Sequence, residues 1–216
     1  PGRARVPSLK GHFDPMYRSF DMEYPDVKRA ARFIEELKRF EQAGEMPRLQ
    51  MVRLPNDHTS GAVTNMPTPI AAVADNDLAL GQLVEAVSQS KFWKRTAIFV
   101  VEDDAQNGPD HVDAHRTVAF VISPWAKRRA KDSTMYSTSS MLRTMELILG
   151  LKPMSQFDAA ARPMYDSFQS KPDPTAFAAR PARVNLEETN TRQAWGANLK
   201  MNFAREDAAD DLLLNE

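Results

Sequence analysis

At 216 residues and 42% hydrophobic content, the chain is long enough to bury one core of ordinary domain size. Twenty-eight basic against 29 acidic side chains leave a net charge of −1, which excludes a global field steering the protein toward nucleic acid or an anionic membrane. The absence of cysteine excludes disulfides, thiolate metal sites and a cysteine nucleophile together, and no apolar run approaches the ~20 residues of a membrane-spanning helix.

Residues 1–25 carry Pro7, Pro15 and Pro25 among aromatic and charged residues without periodicity. They read as an irregular surface segment, ordered only by sequence beyond this chain. From Asp26 the apolar positions Ala30, Phe33, Ile34, Leu37 and Phe40 follow helical spacing, and Gly44 stands where a helix stops. After Pro47, the run 49–54 predicts a buried strand that empties into Pro55-Asn56-Asp57. A second helix is predicted over about 70–88, with Leu80, Leu83, Val84 and Val87 on one face.

The run 96–101 is continuously apolar and β-branched, the pattern of a strand covered on both faces, and it ends in Glu102-Asp103-Asp104. A polar loop leads to a third strand over 117–122, closed by Ser123-Pro124. Ser137 or Ser139 caps a helix over 141–149 that Gly150 ends. Alternating strand and helix predict an α/β fold, a mostly parallel sheet with helices on both faces. The predicted organisation is an irregular segment over 1–25, an α/β core over 26–154, and over 155–216 a proline-rich wrap followed by a C-terminal helix. Both ends read as cuts: Pro1 stands in place of an initiator Met, and the apolar run Leu212-Leu213-Leu214 has no cap after it.

In an open parallel sheet, ligands bind where the strand ends converge, and the polar residues of this chain gather at those ends. The first strand runs into Asp57-His58-Thr59, the second into Glu102-Asp103-Asp104, and the third is entered from His111-Val112-Asp113-Ala114-His115. Carboxylate and imidazole together suit Zn, Mn or Fe, whereas an all-oxygen cage suits Mg or Ca. The candidate ligands are Asp57, His58, Asp103, Asp104, His111 and His115, with Glu102 and Thr59 in support. Adjacent like charges repel unless a cation lies between them, which favours a metal at Glu102-Asp103-Asp104 over a solvated exit loop. The basic run Lys127-Arg128-Arg129-Ala130-Lys131 reads as a solvated loop.

The helix Asp77-Leu78-Ala79-Leu80-Gly81-Gln82-Leu83-Val84-Glu85-Ala86, followed by Trp93 and the strand into Asp103-Asp104, resembles a hallmark of the alkaline-phosphatase superfamily. The pair Asp103-Asp104, where many members have Asp-His, is similar to the phosphoesterase branch of bacterial phospholipases C and acid phosphatases. The stretches 54–61, 102–124 and 140–150 fit the same branch. That resemblance implies hydrolysis of phosphoric esters with one or two divalent ions, Zn or Mn favoured and Ca or Mg possible, on a phosphoester substrate. It implies a periplasmic or secreted location, a possible upstream domain of the same parent chain, and a nucleophilic Ser or Thr on sequence that this chain does not contain. The alternative is a catalytically degenerate or Ca-stabilised binding module.

Overall fold

In the computed structural model, residues 4–103 and 116–192 are described. The chain is α/β: helices α1 (Asp26–Ala43), α2 (Pro69–Gln89), α3 (Thr138–Leu149) and α4 (Gln156–Ala160) accompany strands β1 (Ile98–Val101) and β2 (Ala119–Ile122). Two compact units divide the chain, and the division passes through α1 and α2. One comprises residues 1–33, 52–82 and 180–216, the other 34–51 and 83–179.

In the first unit, α1 buries Asp26, Arg29 and Ala30 on one face. Arg29 is 0% exposed, and every N–H of its guanidinium is used. Nε donates to the Arg18 carbonyl at 2.9 Å, Nη1 to the Tyr24 carbonyl and to Asp26 Oδ1, and Nη2 to the carbonyls of Ser19 and Asp21. Segment 18–24 is therefore ordered from within this chain rather than by sequence beyond it, because its carbonyls fill the fixed fork of one buried cation. Helix α2 buries Ala71, Asp75 and Ala79 at steps of four, the row that faces inward from a helix. Residues 49–54 form no strand.

In the second unit, α1 continues with Leu37 buried and ends at Gly44, whose φ of +88° only glycine adopts without strain. Leu83, Val84 and Val87 carry the buried row of α2 onward, as the spacing predicts. Strands β1 and β2 pair antiparallel, Ile98 opposite Ile122 and Val101 opposite Ala119. The expectation of parallel strands covered on both faces is thus corrected. An apolar run reports burial but not direction, and here Val101 and Phe120 stand exposed in a sheet that has two strands among the described residues. Past β2, Lys127 N–H meets the Ser167 carbonyl and Gln169 N–H the Trp125 carbonyl, while the Arg128 guanidinium lies 4.3 Å from the centre of the Phe177 ring. The basic run is therefore only partly a solvated loop, since Arg128 holds the proline-rich segment.

Ser137 is the N-cap of α3, accepting from Ser140 N–H at 3.2 Å, and Gly150 closes the helix in the left-handed region. Helix α4 opens on a reciprocal cap: Ser155 accepts from Phe157 N–H, while Asp158 accepts from the amides of Met154 and Ser155. No helix of the described residues is long and apolar enough to cross a membrane.

Two stability predictions follow from these contacts. Arg29→Met leaves the Asp26 carboxylate and four backbone carbonyls short of donors, and is expected to cost about 3–5 kcal/mol in urea unfolding, the range for breaking a buried ion pair. A loss below ~1 kcal/mol would contradict the clamp. The Ser155 hydroxyl, ahead of the Met154 amide, holds the Asp158 pKa down to about 2 against the effect of burial. A carboxyl depressed in the fold stabilises it above the unfolded value near 3.8, and that stability is lost as pH falls toward 2. Melting of Asp158→Asn between pH 5 and 2 should therefore show a shallower acid limb than the native chain, and identical limbs would refute the assignment.

Candidate functional site

The first of the predicted site loops is built on the buried polar cluster of the first unit. Asp75, from the inward row of α2, accepts the Asp26 and Val27 amides at the start of α1, where a carboxylate is favoured by the unpaired N–H groups and the helix dipole. Asp26 in turn accepts from Asn56 N–H at 2.8 Å and from the Asn76 side chain at 3.0 Å. Burial raises the Asp26 pKa, opposed by the Asn56 and Asn76 hydrogen bonds and the Arg29 charge. Asn56 is 4% exposed, and its side-chain amide donates to Asp75 at 2.7 Å.

From that anchor, residues Asn56–His58 make one 3-10 turn. The two side-chain N–H groups of Asn76 are shared among Asp26, the Leu54 carbonyl at 2.8 Å and Asp57 Oδ1 at 3.1 Å, so α2 ties both the entry to the turn and one oxygen of its carboxylate. His58 is exposed, and its Nδ1 lies 3.0 Å from the Thr59 carbonyl. A carbonyl only accepts, so Nδ1 is the donor in this contact, and in the neutral ring that leaves the lone pair on Nε2. Phe20 meets the His58 ring edge-on at 5.6 Å, and the Arg53 guanidinium lies 5.1 Å from the Phe20 ring centre. Phe20 sits between two carbonyls that Arg29 holds, Ser19 and Asp21, and so the buried clamp reaches the imidazole.

Thr59 has φ +58° and ψ +167°, a region that a β-branched residue rarely enters. Its hydroxyl accepts from Gly61 N–H at 3.1 Å.

In the second unit, Glu102 follows β1 half-buried, its amide donating to the Val118 carbonyl at 3.3 Å, and Asp103 is exposed beside it. Asp104, His111 and His115 lie outside the described residues. Among the described residues, no three His or carboxylate side chains gather as a metal-binding group. The structure brings together Asp57, His58 and Thr59 within one unit, and Glu102 with Asp103 in the other. The first turn sets a half-exposed carboxylate next to an exposed imidazole whose Nδ1 meets the Thr59 carbonyl.

Sequence reasoning missed Asp26, Asn56, Asp75 and Asn76. The signal for Asp75 was present in its place on the inward row with Ala71, Ala79, Leu83 and Val87. A carboxylate there needs donors, and its donors are the first amides of another helix.

Thr59 supplies a test of the turn. Thr59→Gly relieves roughly 1–3 kcal/mol of backbone strain and gives back part of it as unfolded-chain entropy. The melting temperature should rise by about 2–4 °C. A fall of that size would show that the Thr59 side chain contributes more than its backbone costs.

A sequence profile of the Phosphoesterase family matches residues 12–152. No curated protein and no solved structure matches the chain. The matched stretch contains the clamp of Arg29, the polar cluster under the Asp57 turn, and the residues after β1, and it spans well over half of the sequence. The chain belongs to the Phosphoesterase family.

Proposed function

We propose that this chain serves metal-dependent hydrolysis of phosphoric ester bonds, in the branch of the alkaline-phosphatase superfamily that includes bacterial phospholipases C and acid phosphatases. Family membership supports the reaction class. The observation that carries the metal reading is the Asp57-His58 turn, where Nδ1 of the exposed His58 meets the Thr59 carbonyl, so that the neutral ring keeps Nε2 for a ligand role next in sequence to a carboxylate. Asp57 and His58 are ligands in this reading, and Asp103 is a separate candidate ligand from the sequence. Asp104, His111 and His115 extend the set, with Glu102 and Thr59 in support.

A bound divalent ion, Zn or Mn before Ca or Mg, supplies Lewis-acid stabilisation of charge on the phosphoryl oxygens. The rest of the work falls to the chain. Asn76 fixes one Asp57 oxygen, so the carboxylate is aimed before any ion arrives. The Thr59 carbonyl sets the His58 tautomer, and the Phe20 edge restrains the ring. The nucleophile, in this proposal, is supplied by sequence outside this chain.

The test measures metal content of the protein and turnover of bis(p-nitrophenyl) phosphate together. Asp57→Ala and Asp103→Ala should each lower kcat/KM by about 100-fold or more, the scale of losing one preorganised charged group at a transition state, with a parallel loss of bound Zn or Mn. Retention of both metal and activity in the two variants would refute the proposal. Stabilisation by Ca alone, with no hydrolysis by the native protein, would establish a Ca-stabilised module in its place.

A further inference from the structure

Between Thr59 and the start of α2 at Pro69 the chain runs through a loop with no regular structure, and positive φ at Gly61 and Asn65. What holds it comes from far along the sequence and, like the loop, belongs to the first unit. The Asn190 side-chain amide donates to the carbonyls of Gly61 and Val63, each at 3.0 Å, with the Pro67 carbonyl at 3.4 Å. The backbone of the same residue pairs with the loop: Asn190 N–H donates to the Met66 carbonyl, and Asn65 N–H to the Asn190 carbonyl, both at 2.9 Å. Pro67 and Thr189 form an isolated antiparallel bridge.

Two residues earlier, Glu188 receives the Thr68 hydroxyl at 2.9 Å, and its carbonyl receives Thr68 N–H at 3.0 Å. The Thr68 oxygen then accepts from Ala71 N–H at 3.2 Å, capping α2. One short strap therefore sets both the loop after the Asp57-His58 turn and the start of the helix that carries Asp75 and Asn76. The strap lies beyond residue 152, outside the stretch that the family profile matches.

We propose that Asn190 is a positioning residue for the metal loop, acting through Gly61 and Thr59 on His58. The proposal rests on reading Asp57 and His58 as ligands. The relay is continuous in hydrogen bonds: Asn190 holds the Gly61 carbonyl, Gly61 N–H holds the Thr59 hydroxyl, and the Thr59 carbonyl holds Nδ1 of His58. Thr59 stays in its strained conformation because both its neighbours along this path are pinned. An amide suits position 190 because its two N–H groups face carbonyl oxygens, which a carboxylate of the same shape would repel.

The experiment compares Asn190→Ala, Asn190→Asp and Asp57→Ala in the protein. Mn2+ affinity is measured by equilibrium dialysis, hydrogen exchange over residues 57–66 by mass spectrometry, and folding by far-UV circular dichroism. Both Asn190 variants should weaken Mn2+ binding by about 10–100-fold, the usual effect of losing a group that orients a ligand, and should speed exchange at residues 61–66. Native Mn2+ affinity in a folded Asn190→Asp protein would overturn the proposal. If Asp57→Ala leaves Mn2+ binding unchanged, the ligand reading fails and the role of Asn190 toward metal fails with it. The exchange data then separately decide the strap, faster exchange confirming the pin and unchanged exchange removing it. Should Asn190→Ala not fold, Asn190→Ser takes its place, and native Mn2+ affinity in that variant would equally overturn the proposal.

Discussion

The buried Arg29 guanidinium is the interaction on which the first unit depends. It has five N–H groups and no exposure, and it spends them on four backbone carbonyls and one Asp26 oxygen. Removing a cation from water is costly unless each donor is satisfied. That demand forces residues 18–24 into a single arrangement, which no regular element would otherwise impose. A proline-spaced, aperiodic segment becomes fixed structure because a charge in α1 requires it.

From Arg29 the same logic spreads through Asp26 to Asp75, Asn56 and Asn76. Each carboxylate is held by donors that have few other partners available: the first amides of a helix, a turn amide and two side-chain amides. The cluster joins the start of α1, the middle of α2 and the turn at Asn56–His58 into one hydrogen-bonded unit. Asp57 sits at its edge, sharing Asn76 with Asp26. A half-exposed carboxylate thereby acquires a hydrogen-bonded orientation from a buried network.

Much of the helical structure was legible in the sequence. The spacing of Ala30 and Leu37, the stop at Gly44, the row through Leu83 and Val87 and the cap at Ser137 all appear where periodicity and end signals placed them. Strand direction was not legible, because Ile98–Val101 and Ala119–Ile122 are apolar whichever way they pair. The run 49–54 has the composition of a strand but no strand partner among the described residues. Asp57 and His58 stood out as candidates because they follow an apolar run, whereas the network beneath them was hidden. Arg29 and Asp75 looked like ordinary charges on amphipathic helices, and only three-dimensional pairing distinguishes a buried charge from a solvated one. Asn190 gave no local signal at all, since its carbonyl partners lie more than a hundred positions earlier.

The central claim, that the Asp57-His58 turn is a metal-binding element of a phosphoesterase, is tested most directly by anomalous scattering from crystals of the full-length protein grown with Mn2+ or Zn2+. The account predicts an anomalous peak about 2.0–2.3 Å from an Asp57 carboxylate oxygen or from Nε2 of His58, the distance range of carboxylate and imidazole ligands. Metal bound at full occupancy elsewhere, with neither residue within ligand distance, would contradict it.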